Sequence, residues 1–241
     1  MKKRVAYVVA VVAVGLLAAA CGSSEPPRAI PEGIPPGAGT PVPEIDFNAQ
    51  GRTADLLLDW AEPQADAMNI SVPALAAYGH AAAIMSDTAP GCGIAWTTLA
   101  GIGYIESRHG TYQGSSVAPD GLVSPAIRGI PLDGGPGVAE IPDTDGGQLD
   151  GDPVHDRAMG PMQFIPETWK KWGVDANGDG IADPDNLDDA ALTAARYLCA
   201  RGGDLRTAEG WERALMAYNQ SGVYLRDVRD AAAAYSVGTT A

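Results

Sequence analysis

Apolar residues that return every three or four positions constrain this chain most, because they recur in stretch after stretch while long alternating strands are absent. The helical pattern runs over residues 53–60, 73–86, 93–109, 166–172, 187–201, 208–219 and 222–235. Several of these have matching ends: Pro73 in a first turn, Asn186 ahead of Leu187 with Asp189 three further on, Gly202 after Arg201, and Ser221 ahead of the last. The spacing predicts a mainly α fold in one domain over residues 51–236, with a short tail at 237–241 and enough chain to bury a core.

Between Thr111 and Arg157 that periodicity stops, and Gly, Pro and Asp dominate. An ordered loop of such length is uncommon inside a compact domain and is usually functional, so the segment is expected to form one wall of a cleft, with room for a short hairpin; disorder is the alternative. Its acids Asp143, Asp145, Asp150 and Asp152 read as solvated turn residues before they read as a cation site.

The first twenty residues do not belong to the fold. Lys2, Lys3 and Arg4 precede an apolar run from Val5 to Ala20 that is short for a membrane span, which describes an export signal. Residues 17–21, Leu-Ala-Ala-Ala-Cys, resemble a bacterial lipobox, which implies that Cys21 becomes a lipidated N-terminus. The expectation is an exported protein anchored by lipid to the outer face of the cell membrane; simple secretion is the alternative. Residues 21–50, rich in Pro, Gly, Ser and Ala, then read as an extended tether. Loss of the three basic residues takes the formal charge from −14 to −17. So acidic a surface argues against nucleic acid as partner.

Two cysteines remain, Cys92 and Cys199. In an oxidising compartment a pair of thiols reads as a disulfide rather than a metal site or nucleophile. Closing more than a hundred residues of chain, it would be worth about 5 kcal/mol in the chain-entropy model.

One acid stands in line with a buried stripe: Ala95, Leu99, Ile102 and Glu106 recur at steps of four, three and four. Burial there raises a carboxyl's pKa because the charged form loses hydration, and the negative end of the helix dipole acts in the same sense. With Gly110 as the residue that ends the helix, Glu106 falls in the last turn, facing whatever opens beyond. A surface glutamate is the plain alternative, and the company Glu106 keeps argues against it.

That company is four blocks in order: Glu106-Ser107 with His109-Gly110; Gly160-Pro161-Met162-Gln163-Phe164; Asp175 to Asp189; and Tyr218-Asn219 with Tyr224. Together they resemble the lytic transglycosylases of bacterial cell walls, most closely the membrane-bound lytic transglycosylase B-like branch of the SLT type. The resemblance implies an α+β lysozyme-like fold, a single helical catalytic domain and cleavage of the bond between N-acetylmuramic acid and N-acetylglucosamine in peptidoglycan glycan strands. It also implies a carbon-oxygen lyase that leaves an anhydromuramic acid end. Glu106 takes the place of the catalytic glutamate. Ser107, Met162, Gln163, Phe164, Tyr218, Asn219 and Tyr224 take the places that line the substrate cleft, with no cofactor required and a monomer expected.

Ordinary glycosidases use two carboxylates. The matching blocks offer one, and one suffices if Glu106 first protonates the leaving oxygen and then, ionised, takes a proton from the sugar's own hydroxyl as that hydroxyl attacks the anomeric carbon. Two alternatives stay open: a goose-type muramidase using the same glutamate, and a non-catalytic calcium-dependent glycan-binding lipoprotein.

The third block has a second reading. Asp175, Asn177 and Asp179, Gly180 in sixth place, Ile181 offering a carbonyl and Asp183 in ninth place follow the start of an EF-hand loop. Asn186 stands twelfth where a glutamate belongs, so Asp188 or Asp189 would have to close a structural calcium site, and a turn that caps the next helix is the alternative. His109, three residues from Glu106, could tune it, although a helix-end histidine is more often incidental; His80 and His155 are scattered and no zinc-like spacing appears. Trp96, Trp169, Trp172 and Trp211 read as core residues before they read as sugar platforms.

Overall fold

The computed structural model describes residues 29–241, so the export signal and Cys21 lie outside the described residues. Among the described residues seven α-helices carry the fold: α1 (Leu58–Met68), α2 (Val72–Thr88), α3 (Trp96–Ser107), α4 (Pro166–Trp172), α5 (Leu187–Gly202), α6 (Ala208–Tyr218) and α7 (Gly222–Ser236). Side chains on α3 are buried without a break from Trp96 to Gly103, and those on α5 from Leu187 to Ala195. A helix closed on every side belongs at the centre of a core. Accordingly α3 packs on α7 and α2, and α5 packs on α2 and α6. None of the described helices is long and apolar enough to cross a membrane.

The helix starts obey local rules. Asn186 accepts the Asp188 amide, Thr207 the Gly210 amide and Ser221 the Tyr224 amide, each capping its helix. At the chain's first helical stretch the structure differs from the pattern. A 3₁₀ turn (Thr53–Leu57) leads into α1, which runs on past Pro63 to Met68. The proline forfeits one intrahelical hydrogen bond, while buried Ala61, Ala65 and Met68 hold the helix against the core.

Helix α3 also differs at both ends. It starts at Trp96, so Cys92 lies in the preceding turn, its amide donating to Ala89 O. It stops at Ser107, and the left-handed residues that follow are Arg108 (φ 53°), His109 (φ 59°) and Gly110 (φ 79°), so the turn begins two residues before the expected glycine. The Cys92–Cys199 disulfide is formed, with Cα atoms 5.4 Å apart and 107 residues enclosed, and it staples the α2–α3 turn to α5. Reduction should lower the melting temperature, by the equivalent of about 2–5 kcal/mol. Calorimetry with and without reductant checks this; an unchanged melt with two titratable thiols contradicts it.

Much of the sequence read as tether lies against the domain. Thr97 Oγ1 donates to Gly37 O at 2.8 Å and Trp96 Nε1 to Thr40 O at 3.0 Å. The segment between Thr111 and Arg157 is folded. Strand β1 (Ser116–Val117) pairs antiparallel with β2 (Val123–Ser124), and β3 (Arg128–Pro131) with β4 (Arg157–Met159). Its acids hold turns: Asp143 accepts from the amides of residues 145, 146 and 147, and Asp145 from Gln148 and Leu149. Asp143, Asp145 and Asp156 come close together through those turns.

A buried ion pair joins the two ends of the fold. The Arg52 side chain, 8 % exposed, meets the fully buried Asp188 at the start of α5 in two hydrogen bonds, Nε to Oδ2 at 2.6 Å and Nη2 to Oδ1 at 2.9 Å.

Candidate active site around Glu106

Glu106 emerges in the last turn of α3, where the buried stripe reaches the helix end. Its Oε1 accepts a hydrogen bond from the Tyr224 hydroxyl at 2.6 Å, offered from the start of α7. Burial of the carboxyl pushes its pKa up to about 7, against which the Tyr224 hydrogen bond acts only partly. The group therefore holds a proton up to neutral pH.

Tyr224 and Tyr218 stack face to face, ring centres 6.4 Å apart and 8° from parallel. Both hydroxyls are raised well above the usual phenol pKa, by burial first and by the charge of Glu106 second. Two neutral phenols beside one acid make a low-dielectric surround that offers hydrogen bonds without a counter-charge. Tyr218 Oη donates to Met162 O at 2.8 Å, and the Phe164 ring meets Tyr218 edge-on at 5.7 Å. Replacing Tyr224 by phenylalanine removes the donor that lowers the acid's pKa. Glu106 should then titrate above 7, and the alkaline fall of any turnover should move up; a fall at the wild-type pH contradicts this.

The Gly160–Phe164 turn is tied to the end of α3 through Ser107. Gly160 is left-handed (φ 69°), and a Cβ there would collide with the Pro184 carbonyl. Gln163 is left-handed as well (φ 49°), and its Nε2 donates to Gly160 O at 2.8 Å. Ser107 joins this turn to α3: its Oγ donates to Pro161 O at 2.6 Å and accepts from the Gly110 amide at 2.8 Å.

The expected cleft residues thus separate. Tyr218, Tyr224 and Glu106 come together, Gln163 is half-buried on the adjoining turn, and Asn219 is exposed at the end of α6. Ser107 (1 % exposed), Met162 (0 %) and Phe164 (3 %) are closed to solvent and hold the turn against α3 and Tyr218. Motif position marks a block as belonging to the site without saying which of its side chains face inward.

The acid loop is built around Asp189. Its Oδ1 accepts the Ala176 amide at 2.7 Å and its Oδ2 the Asp183 amide at 2.9 Å. Burial raises the pKa of Asp189 to about 6. Asp175 accepts the Gly178 and Gly180 amides, and Asp179 Oδ2 accepts from Asn177 Nδ2. Asn186 caps α5 and donates to Asp120 O, and Asp188 is committed to Arg52. Of the two acids expected to close a cation site, Asp188 is taken up by Arg52 and Asp189 by three backbone amides of the loop itself. The same loop ties down the segment after Thr111: Arg128 forks onto Asp185 at 2.6 and 2.8 Å, and the Val123 amide donates to Asp185 O.

Sequence reasoning missed the buried partners of His109. Its ring lies between the hydroxyls of Tyr78 and Tyr235, residues from remote parts of the chain that carry no local signal.

Among known proteins, residues 156–217 match a family model described as Transglycosylase SLT domain. No curated protein and no solved structure matches the chain. The matched segment takes in the Gly160–Phe164 turn, the acid loop, α5 and most of α6, stopping one residue short of Tyr218 and far from Glu106. With the mostly helical fold, which is consistent with a lysozyme-like SLT domain, this match supports a lytic transglycosylase enzyme acting on peptidoglycan.

Proposed function

We propose that the protein is a lytic transglycosylase of the membrane-bound B-like branch, with Glu106 as its single acid and base. The observation that carries the proposal is a half-buried carboxyl at a helix end that accepts the Tyr224 hydroxyl at 2.6 Å, with desolvation pushing its pKa up to about 7. Glu106 gives its proton to the oxygen between N-acetylmuramic acid and N-acetylglucosamine, and the C–O bond to the anomeric carbon breaks. The resulting carboxylate takes the proton of the muramic acid 6-hydroxyl as that oxygen bonds to the anomeric carbon, which closes an anhydro ring and returns the acid to its starting state. Tyr224 steadies the carboxylate between the two transfers, and Asn219 and Gln163 supply polar contacts to the sugar. The cleft wall is the folded segment after Thr111. Mass spectrometry of digested glycan tests the reading: anhydromuramic ends support it, and reducing muramic ends alone replace it with a muramidase.

We place the enzyme outside the cell, held through Cys21 to the outer face of the membrane as a monomer. We also propose a structural calcium ion at the acid loop, held by Asp175, Asn177, Asp179, Asp183, the Ile181 carbonyl and Asp189. An all-oxygen donor set suits a hard cation. Millimolar calcium should raise the melting temperature, and a flat response retires the ion.

A further inference from the structure

Beyond Glu106, α3 ends in a buried polar cluster that the proposed chemistry does not use. His109 is 3 % exposed, and both of its ring nitrogens are engaged: Nδ1 shares a hydrogen bond with the Tyr78 hydroxyl of α2 at 3.2 Å, and Nε2 with the Tyr235 hydroxyl of α7 at 2.8 Å. A neutral imidazole donates through one nitrogen and accepts through the other, so this arrangement leaves neither unsatisfied. Burial holds the His109 pKa down at about 3, and the nearby Arg108 charge adds to that effect.

The backbone is set by the same contacts. The His109 amide donates to Gly103 O at 2.9 Å and the Arg108 amide to Tyr104 O at 3.0 Å, closing α3 with two left-handed residues that carry side chains. Such a conformation persists only where its surroundings over-determine it. Gly103 is part of the device, since a Cβ there would collide with the Tyr78 hydroxyl. The Tyr104 ring lies 5.7 Å from His109 and 6.3 Å from Tyr235, with the Arg108 guanidinium stacked 3.9 Å over it.

Helix α7 supplies a hydroxyl at each end: Tyr224 to Glu106, and Tyr235 to His109. We propose that His109, gripped between Tyr78 and Tyr235, is a positioning residue that fixes the terminus of α3 so that the Glu106 carboxyl faces Tyr224 and stays out of water. Tyr78, Tyr104, Tyr235 and Arg108 face His109, and Tyr218 and Tyr224 face Glu106. Arg108 brings a positive charge to the His109 side, and the Tyr104 hydroxyl also donates to Ala241 O, the last residue, at 3.2 Å; the clamp acts on Glu106 through geometry. This role rests on the reading of Glu106 as the general acid.

The test uses Tyr235→Phe, which removes one hydroxyl and keeps the ring, beside His109→Gln. The Glu106 pKa is read by carboxyl carbon-13 NMR on the folded proteins, and kcat and KM are read on glycan. The expected result is a Glu106 pKa that falls from about 7 toward the ordinary glutamate range, with KM within twofold. The kcat should fall about 10- to 100-fold, because misplacing a catalytic group by about 1 Å costs up to 10². Variants that melt lower but keep the wild-type pKa and kcat overturn the proposal and leave His109 as packing. Absence of turnover in the wild type strikes the transglycosylase reading instead, and the NMR arm then decides the clamp alone: an unmoved pKa overturns it.

Discussion

Replacing Glu106 by glutamine should abolish glycan cleavage and at the same time make the protein more stable above neutral pH. The amide still accepts the Tyr224 hydrogen bond, so the fold and the cleft are kept. It has no proton to give, and loss of general acid help alone is worth roughly 10²–10⁴ in rate. The stability change follows from the direction of the pKa shift. Folding raises the Glu106 pKa from 4.5 to about 7. Below pH 4.5 the group is protonated in both states and the variant gains nothing; between 4.5 and about 7 the unfolded chain ionises while the folded one keeps its proton, so the wild type loses stability across that range and the loss is complete above 7. Glutamine carries no such cost. The gain at pH 8 approaches about 3 kcal/mol, from 1.36 kcal/mol per pKa unit. Melts at pH 4.5 and pH 8 check the sign: the two proteins should agree at the lower pH and separate at the higher. Equal melting at both, or turnover retained by the variant, contradicts the role given to this side chain.

The second large effect belongs to Asp188→Ala. Asp188 is fully buried and offers both oxygens to Arg52, a guanidinium that stays charged at any accessible pH. Truncation leaves that charge in the core with an exposed acid, Asp55, and the Pro73 carbonyl at 3.5 Å as partners. Breaking a buried pair in this way costs about 3–5 kcal/mol. The loss should exceed that of replacing both partners with apolar residues of similar size, Arg52→Met with Asp188→Leu, because the double change removes the orphaned charge along with the pair. Denaturant unfolding of the three proteins measures the comparison. A double variant less stable than Asp188→Ala contradicts it. Since the pair anchors the start of α5, where Asn186 and the Leu187 amide tie down the Asp120–Gly121 turn, the single change should also loosen the segment after Thr111.

What could be read from the sequence was what local rules decide. The spacing located α4 to its ends and α5 and α7 to within a residue, and Asn186 and Ser221 announced two of the caps. The cysteine pair followed from compartment and count. The stripe through Leu99 and Ile102 set Glu106 at the margin of the core because helix geometry is regular enough to carry a side chain's direction over several turns. Failures came where distant parts of the chain override local preference. The first helical pattern reaches only to residue 60, whereas α1 runs through Pro63 to Met68 because burial of Ala65 and Met68 holds it. Gly110 marked the end of α3, yet contacts to Tyr78 and Tyr235 force Arg108 and His109 into the left-handed region first. Residues 37–40 have a linker's composition, and they dock because Trp96 and Thr97 present donors to their carbonyls. Ser107, Met162 and Phe164 are buried while Gln163 in the same block is half-buried and Asn219 exposed, a difference set by the left-handed turn at Gly160 and Gln163 that motif position does not carry.

The proton on Glu106 is the centre of the proposed chemistry, and the dependence of kcat on pH with a defined glycan substrate probes it most directly. Turnover should fall on the alkaline side with an apparent pKa near 7, as the acid loses the proton it must donate. A rate that stays level, or climbs, from pH 6 to pH 9 would mean that a protonated Glu106 does not start the reaction.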